Sequence, residues 1–135
     1  MFETKRLLIR KFRDEDAGEL YENHNDEEVG KWFPNERYAD PAEALDAIRF
    51  YADCVDQNRL PFVLGVELKE TGELIGDAGI SEVEGKADEM EIGYCIGRKY
   101  RGHGYATELL SAISGLTASR FGVRVIYGRA GGARE

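Results

Sequence analysis

The sequence is poor in cysteine and has no long apolar run, and these two absences exclude several classes of protein. Its two cysteines, Cys54 and Cys95, stand far apart and in no CxxC or metal-ligand spacing, so we expect two buried, reduced thiols and no metal site. No stretch approaches the roughly 18 apolar residues that a membrane span requires. Residues 1–12 alternate apolar and charged side chains, unlike a signal peptide. These features predict a cytoplasmic protein without a membrane partner.

Basic residues are also in deficit, because 18 Lys and Arg face 26 Asp and Glu and leave a formal net charge of -8. General nucleic-acid binding needs a basic surface that neutralises phosphates, so we expect no nucleic-acid partner. An acidic protein can still attract a basic acceptor. With 135 residues, 42% of them hydrophobic, and no repeat or linker, the chain is predicted to form one domain over residues 1–135.

The first half of the chain mixes strand and helix patterns. "TKRLLIRKF" predicts a first strand, and a short helix is expected from about Asp14 to His24. After an irregular stretch with several aromatic residues, "DPAEALDAIRFYADCV" predicts a helix with Asp40 as N-cap, Pro41 in the first turn and Glu43 at capping-box spacing. Its apolar face is predicted to consist of Leu45, Ile48, Ala52 and Val55.

Three β-rich runs follow and predict adjacent antiparallel strands. "LPFVLGVELK" and "ELIGDAGISEV" flank "ETG" as a hairpin, and the loop "EGKAD" then leads to "MEIGYCIG". A helix is predicted where Leu109, Leu110, Ile113 and Leu116 recur, with Gly122 as its cap, and "VRVIYGR" is the last strand. The predicted fold class is α/β, or α+β by stricter naming, with a mixed, mostly antiparallel sheet flanked by helices.

The stretch "RGHGYATELL", Arg101 to Leu110, places two glycines in a basic loop before the last helix. The first N–H groups of a helix and its dipole favour an anion, and glycines let the backbone approach a phosphate closely. The pattern therefore predicts a phosphate ligand, and a pyrophosphate in particular. A P-loop is disfavoured because GxxxxGK[ST] is absent, and a Rossmann fingerprint because Thr107 takes the place of the third glycine.

The six residues of "RGHGYA" resemble the acetyl-CoA pyrophosphate loop of the GNAT acetyltransferase superfamily: Arg or Gln, two residues, Gly, one residue, then Gly or Ala. "ETKRLLIRKF", "TGELIGDAGI" and "EIGYCIGRKYRGHGYATELL" extend the resemblance over nearly the whole chain, to the RimJ/RimL-like branch. That branch acetylates protein α-amines or small amines. The resemblance implies an N-acetyltransferase that uses acetyl-CoA as co-substrate on a primary amine, without a metal.

The resemblance also implies which residues hold the co-substrate. The strand before the loop pairs with the pantetheine arm in this family, which would place Ile96, Gly97 and Arg98 beside it. The pyrophosphate would then be held by the loop itself, formed by Arg101, Gly102, His103, Gly104, Tyr105 and Ala106. Ordinary solvated charge is the other interpretation of Arg98 and Arg101.

Glu91 is the candidate catalytic base, because it opens the strand "EIGYCI" and members of the branch often carry a carboxylate or hydroxyl there. It could act through a water molecule. A base matters most for a lysine amine, which pays roughly 4.6 kcal/mol to be neutral at pH 7, against about 1 to 1.4 for an α-amine. Alternatively, Glu91 is an exposed strand carboxylate that adjoins Asp88 and Glu89 in a solvated acidic turn. If it faces a cleft, alternation puts Gly93 and Cys95 on its face and Tyr94 on the other.

Aromatic residues before the second helix are candidates for the acceptor site. Trp32, Phe33 and Tyr38 lie where the acceptor-site wall of the family usually forms. Simple packing of these rings in a loop is an equally good interpretation.

The end of the chain departs from the pattern of the family. After "VRVIYGRA" the family continues with an asparagine-bearing loop, a helix and two strands, a region that often supplies the proton donor for the thiolate; here the sequence ends at "GGARE". We therefore expect a C-terminally short domain without that helix and those strands, and an exposed edge at Val123–Tyr127. A shortened sequence, a natural truncation and completion by a second copy, as a homodimer covering that edge, all remain open. The alternative function is a non-catalytic remnant that binds CoA or only associates with itself.

Overall fold

The computed structural model describes residues 2–25, 38–83, 85–121 and 125–131, which form six strands and three α-helices. The strands are β1 (Phe2–Glu3), β2 (Leu7–Arg10), β3 (Phe62–Leu68), β4 (Leu74–Val83), β5 (Lys86–Ile96) and β6 (Val125–Gly131). The helices are α1 (Ala17–His24), α2 (Pro41–Asp56) and α3 (Tyr105–Phe121), and short 3-10 turns cover Asp14–Asp16 and Arg98–Tyr100.

The described strands form one sheet in the order β1-β2-β3-β4-β5-β6. Neighbours from β1 to β5 are antiparallel, and β6 alone runs parallel to its neighbour, from Glu89 opposite Val125 to Cys95 opposite Gly131. The chain makes that parallel step through α3, as parallel neighbours require a crossover. The prediction of a mixed, mostly antiparallel sheet flanked by helices is confirmed, as is the β3–β4 hairpin.

Two predicted boundaries are wrong. The strand predicted in "TKRLLIRKF" covers only Leu7–Arg10, because the chain reverses at Thr4, whose N–H donates to the Leu7 carbonyl at 2.8 Å, and the preceding β1 folds back on β2. "EGKAD" is not a full loop, because β5 already begins at Lys86. Gly85 has a φ of +76°, a conformation that lets the chain reverse direction tightly. The turn between β4 and β5 is therefore shorter than the polar residues of "EGKAD" suggest.

Apolar side chains fill both faces of the sheet. On one face the fully buried Leu109 and Ile113 of α3 complete the larger core with residues of β2 to β5. On the other face α1 and α2 form a smaller core around Phe12 and Leu20. Asp40 caps α2 as predicted, accepting the Glu43 N–H at 2.9 Å. The buried face of α2 is shifted from the predicted one, however, because Ala44 is buried whereas Leu45 and Ala52 are only half-buried.

Cys54 and Cys95 are both buried and form no disulfide with each other, as predicted. None of the helices in the described ranges combines the length and the apolar character that crossing a membrane requires.

Candidate functional site

The glycine loop begins at Gly97, passes through the 3-10 turn Arg98–Tyr100 and ends where α3 starts. Gly102 and Gly104 have φ values of +84° and +79°, in the left-handed region that glycine favours. Among the described residues, no atom lies within 4 Å of a Cβ placed on Gly102, and a Cβ on Gly104 would meet only Arg6 Nη2, at 3.5 Å. The loop backbone is therefore open to close approach by a ligand.

The N-terminus of α3 adds backbone donors to this loop. The first i to i−4 bond of the helix runs from the Glu108 N–H to the Gly104 carbonyl, at 3.2 Å, so the N–H groups of Tyr105 and Thr107 lie in the first turn, ahead of the regular intrahelical bonds. A helix of 17 residues also presents the positive end of its dipole here. Two left-handed glycines followed by a helix N-terminus have the geometry of an anion site.

The basic side chains of the loop have different surroundings. Arg101 turns back onto the strand, where its Nε donates to the Ile96 carbonyl at 2.9 Å and braces the loop. Arg98 and Lys99 are exposed, and Tyr100 packs in the larger core with its hydroxyl donating to Glu73 at 2.8 Å. Burial, and then the hydrogen bond to the Glu73 carboxylate, raise the pKa of Tyr100 above its ordinary value. Tyr100 is therefore a neutral packing residue that anchors the loop.

A second brace reaches the loop from the other end of the chain, through Arg6. Its Nε and backbone N–H donate to the Glu108 carboxylate at 2.7 and 2.8 Å, and its Nη1 donates to the His103 carbonyl at 2.8 Å. The guanidinium lies 4.5 Å from the centroid of the Tyr105 ring, and Thr4 Oγ1 also donates to Glu108. Arg6 thus fixes the loop and the first turn of α3 together. Arg6 and Glu108 stand 102 residues apart, and no local pattern of the sequence pairs them.

The brace makes the stability of the chain depend on pH. Partial burial by itself raises the pKa of Glu108, but the hydrogen bonds from Thr4 and Arg6 outweigh it and lower the pKa below its ordinary value of 4.5. A carboxyl group whose pKa is lowered by folding stabilises the fold above its unfolded pKa, and loses that contribution as the pH falls through the folded value.

Glu108→Gln is accordingly expected to lower the free energy of unfolding at pH 7 by about 1 kcal/mol, since solvent around the partly exposed Arg6 weakens the pair. Urea denaturation at pH 7 and at pH 3.5 measures the effect. The difference from the wild type should shrink at the lower pH, and a difference independent of pH would contradict the assignment. The exposed Glu70→Gln is the matched control and should change the stability by less than about 0.5 kcal/mol.

A cavity of about 200 Å³ lies on the opposite face of the sheet from α3, beneath α1 and α2. Gly79 of β4 and Gly93 of β5 stand directly opposite each other and both border it, so its floor carries no side chains at that point. The cavity is lined by Phe12, Leu20, His24, Tyr38, Tyr51, Pro61, Val63, Asp77, Gly79, Ser81, Gly93 and Tyr94. It is therefore an aromatic pocket over an open floor, with a few polar groups at its ends.

One end of this cavity holds a buried ionisable pair that links α1 to β4. His24 Nε2 lies 2.6 Å from Asp77 Oδ2, and the His24 ring is 5.4 Å from the ring of Tyr38 in an edge-on arrangement. Asp77 stands opposite Cys95, whose thiol lies 3.8 Å from the Asn23 carbonyl. Because His24 and Asp77 are 53 residues apart, sequence reasoning missed the pair.

Glu91 lies on the cavity side of β5 but is not one of the residues that line the cavity. It stands opposite Ser81, which lines the cavity, and directly opposed residues of an antiparallel pair point to the same face. Glu91 therefore leaves β5 on the cavity side, and it is half-buried. Asp88 and Glu89 lie within β5, Lys86–Ile96, so they form no turn beside Glu91. Tyr94 packs against the larger core, as alternation predicts, but it also borders the cavity.

The remaining predicted site residues have varied positions. Trp32 and Phe33 lie outside the described residues, whereas Tyr38 lines the cavity. The Gly97 N–H donates to the Ile75 carbonyl at 2.7 Å and therefore faces β4. Because backbone groups of successive residues in a strand face opposite sides, the N–H and C=O of Ile96 face the side of β6. Of these two residues, only Ile96 directs its backbone groups to the side of β5 where an extended ligand could lie, and its carbonyl already accepts the hydrogen bond from Arg101 Nε.

The described side chains include no group of three or more His, Cys, Asp or Glu placed to hold a metal ion. The groups brought together here are instead backbone donors at the loop and ionisable side chains at the cavity. Such an arrangement can hold an anionic ligand at the loop and move protons in the cavity on the other side of the sheet.

Comparisons with known proteins agree with this geometry. The family model described as "Acetyltransferase (GNAT) domain" matches residues 6–131. A protein of Bacillus licheniformis named "Uncharacterized N-acetyltransferase p20" is 33% identical over 113 residues, which cover 82% of this chain and 61% of that protein. The chain thus spans less than two thirds of the length of that relative.

Solved structures share the fold. The crystal structure of a GNAT-family acetyltransferase from Bacillus anthracis superposes with a TM-score of 0.75 at 24% identity, over 93% of this chain and 70% of that one. RimL, the ribosomal L7/L12 α-N-protein acetyltransferase solved in complex with coenzyme A, superposes with a TM-score of 0.67 at 15% identity, over 91% of this chain and 71% of that one.

Proposed function

Because the chain belongs to the GNAT acetyltransferase family, we propose that it transfers the acetyl group of acetyl-CoA to a primary amine. The observation that carries the proposal is the loop before α3, where Gly102 and Gly104 open the backbone at a helix N-terminus. The pyrophosphate of the co-substrate is assigned to the loop from Arg101 to Ala106. Its extended arm is assigned to the β6 side of β5, beside Ile96 and Arg98.

We assign the acceptor amine to the cavity under α1 and α2. Its aromatic lining, from Phe12, Tyr38 and Tyr51, and its volume of about 200 Å³ suit one small, partly apolar group rather than a large ligand. A primary amine on a protein N-terminus and one on a small molecule both meet this description. Glu91 is the proposed base, because it leaves the sheet on the cavity side.

The proposal is tested by calorimetric titration of the chain with acetyl-CoA, with the solution mass recorded on the same sample. Saturable binding is expected, and the mass shows whether one chain or a homodimer paired at β6 builds the site. A folded chain that binds no acetyl-CoA would contradict the proposal.

Acetyl transfer is then measured as thiol release with a panel of amines: peptides with free N-terminal Ser, Ala or Met, free lysine, and spermidine. Release that depends on one of these amines supports the enzyme. Binding of acetyl-CoA without transfer to any of them would favour the alternative, a non-catalytic CoA-binding remnant.

A further inference from the structure

The acceptor cavity is lined by an acid–base pair, His24 and Asp77, whereas Glu91 leaves β5 on the same face of the sheet without lining the cavity. Their side chains are only 5% and 12% exposed, and both border the cavity. Taking an ionisable pair out of water costs free energy, and an apolar pair could hold α1 against β4 without that cost. The position of the pair in the cavity wall therefore calls for an explanation beyond packing.

The pair lies at the end of the cavity nearest the glycine loop. Asp77 stands opposite Cys95, two residues before Gly97, where the loop begins. Asn23, the neighbour of His24 in α1, packs so tightly against Gly97 that a Cβ there would lie 2.2 Å from its Oδ1. Glu91 lies beyond the other end, two residues before the lining residue Gly93 and four residues back along β5 from Cys95, which is roughly 13 Å of strand.

This placement separates two proton-handling groups along the path of the proposed reaction. Acyl transfer from a thioester requires that the amine lose a proton and that the sulfur gain one. The loop holds the co-substrate, so the leaving sulfur stays on the loop side of the cavity and the amine belongs on the other. A carboxylate that hydrogen-bonds one ring nitrogen of a histidine fixes the orientation of the ring, and an imidazole is the side chain suited to carry and donate a proton near neutral pH.

We propose that His24, held in place by Asp77, donates a proton to the departing thiolate of CoA, while Glu91 takes the proton of the amine. The amine nitrogen forms a bond to the acetyl carbon, the carbon–sulfur bond breaks, and its electron pair remains on sulfur. Sulfur receives the proton of the His24 ring. Both side chains then exchange protons with solvent and return to their starting states. This proposal rests on the acetyltransferase function proposed above.

The test compares three variants with acetyl-CoA and the best amine of the panel. His24→Gln keeps a hydrogen-bond donor but does not titrate, and Asp77→Asn keeps the hydrogen bond but not the charge. Asp16→Asn is the matched control, because Asp16 belongs to an equally buried pair with Arg10 that does not border the cavity. Other titratable groups around His24 are Tyr38, Tyr51, Tyr94 and Cys95, with Glu91 beyond the far end, and all of them are retained.

For His24→Gln we expect kcat to fall by about 10- to 100-fold, at the lower end of general acid catalysis because a thiolate is a fair leaving group. Its KM for acetyl-CoA should change by less than about threefold, since an interaction made only in the transition state is lost. The wild-type kcat should decline at high pH, as the imidazolium loses its proton. That limb should disappear in His24→Gln and move to lower pH in Asp77→Asn.

A readout independent of activity is the NMR titration of the imidazole rings, since His24 and His103 are the only two histidines. The His103→Gln variant assigns the signals, and the midpoint of the His24 titration should fall in Asp77→Asn. A His24 ring that stays neutral from pH 5 to 9 would overturn the proposal, as would wild-type kcat in His24→Gln or an equal loss in Asp16→Asn. If the wild type itself transfers no acetyl group, the proposed function fails together with this assignment, and the failure is visible without any variant.

Discussion

Gly104→Val is expected to abolish acetyl-CoA binding, with an affinity loss of at least about 100-fold, or about 2.7 kcal/mol. Two effects act together. A β-branched side chain is strained at the φ of +79° that Gly104 adopts, and its methyl groups would occupy the space through which a phosphate reaches the backbone N–H groups. Calorimetric titration with acetyl-CoA measures the loss directly.

The matched control for this variant is Gly85→Val. Gly85 has a φ of +76° and no neighbour of its added Cβ within 4 Å, whereas Gly104 has only the tip of Arg6 at 3.5 Å. Gly85 lies in the β4–β5 turn, with the whole of β5 between it and the loop. Both variants should lose a similar amount of stability, about 1 to 3 kcal/mol of backbone strain. Only Gly104→Val should lose the ligand. Wild-type affinity in a folded Gly104→Val chain would remove the pyrophosphate assignment, and equal losses in both variants would trace the effect to stability alone.

The loop could be predicted from the sequence because all its determinants are local. A β-rich run, two glycines, basic residues and an amphipathic helix follow one another from Glu91 to Leu116. Gly102 and Gly104, the two glycines of that pattern, both adopt positive φ values. Such a contiguous pattern can be recognised without any distant contact, although in the fold Arg6 also holds the loop in place.

The groups that brace and line the site could not be found in the same way. Arg6 with Glu108 and His24 with Asp77 are pairs formed only when the sheet and helices assemble. In the sequence each of these residues is one charged or polar residue among many. A single sequence contains no pattern that shows which of them contact each other in the fold. Phe12 lines the cavity, and this position could not be predicted either. The alternation of apolar and charged residues suggests a strand near Phe12, but it does not show which helix packs over the side chain.

The floor of the cavity shows a middle case. Gly93 was predicted to share the face of Glu91, and it borders the cavity. The position of Gly79 opposite Gly93 could be known only from the register of β4 against β5. A shift of one residue would place a side chain in the floor of the cavity instead. Strand periodicity thus predicts the face of a residue, whereas the partner across the sheet depends on the register set by the turn.

Glu91→Gln is expected to slow acetylation by about 100-fold at neutral pH if Glu91 takes the proton of the amine. Without the carboxylate, the amine must lose its proton to solvent, so the pH profile should move upward, toward the pKa of the amine itself. The loss should be larger for a lysine amine than for an α-amine, which is more often neutral at pH 7.

The control for this change is Glu82→Gln, which also removes one carboxylate charge. Glu82 is exposed and stands opposite Met90, whereas its neighbour in β4, Ser81, stands opposite Glu91. Glu82 therefore points away from the cavity, and its variant should keep both the rate and the pH profile of the wild type. Acetyl-CoA affinity should be unchanged in both variants, because neither residue belongs to the loop. An unshifted profile in Glu91→Gln would make Glu91 an ordinary strand carboxylate. The proton of the amine would then have to pass to another group of the cavity or directly to solvent.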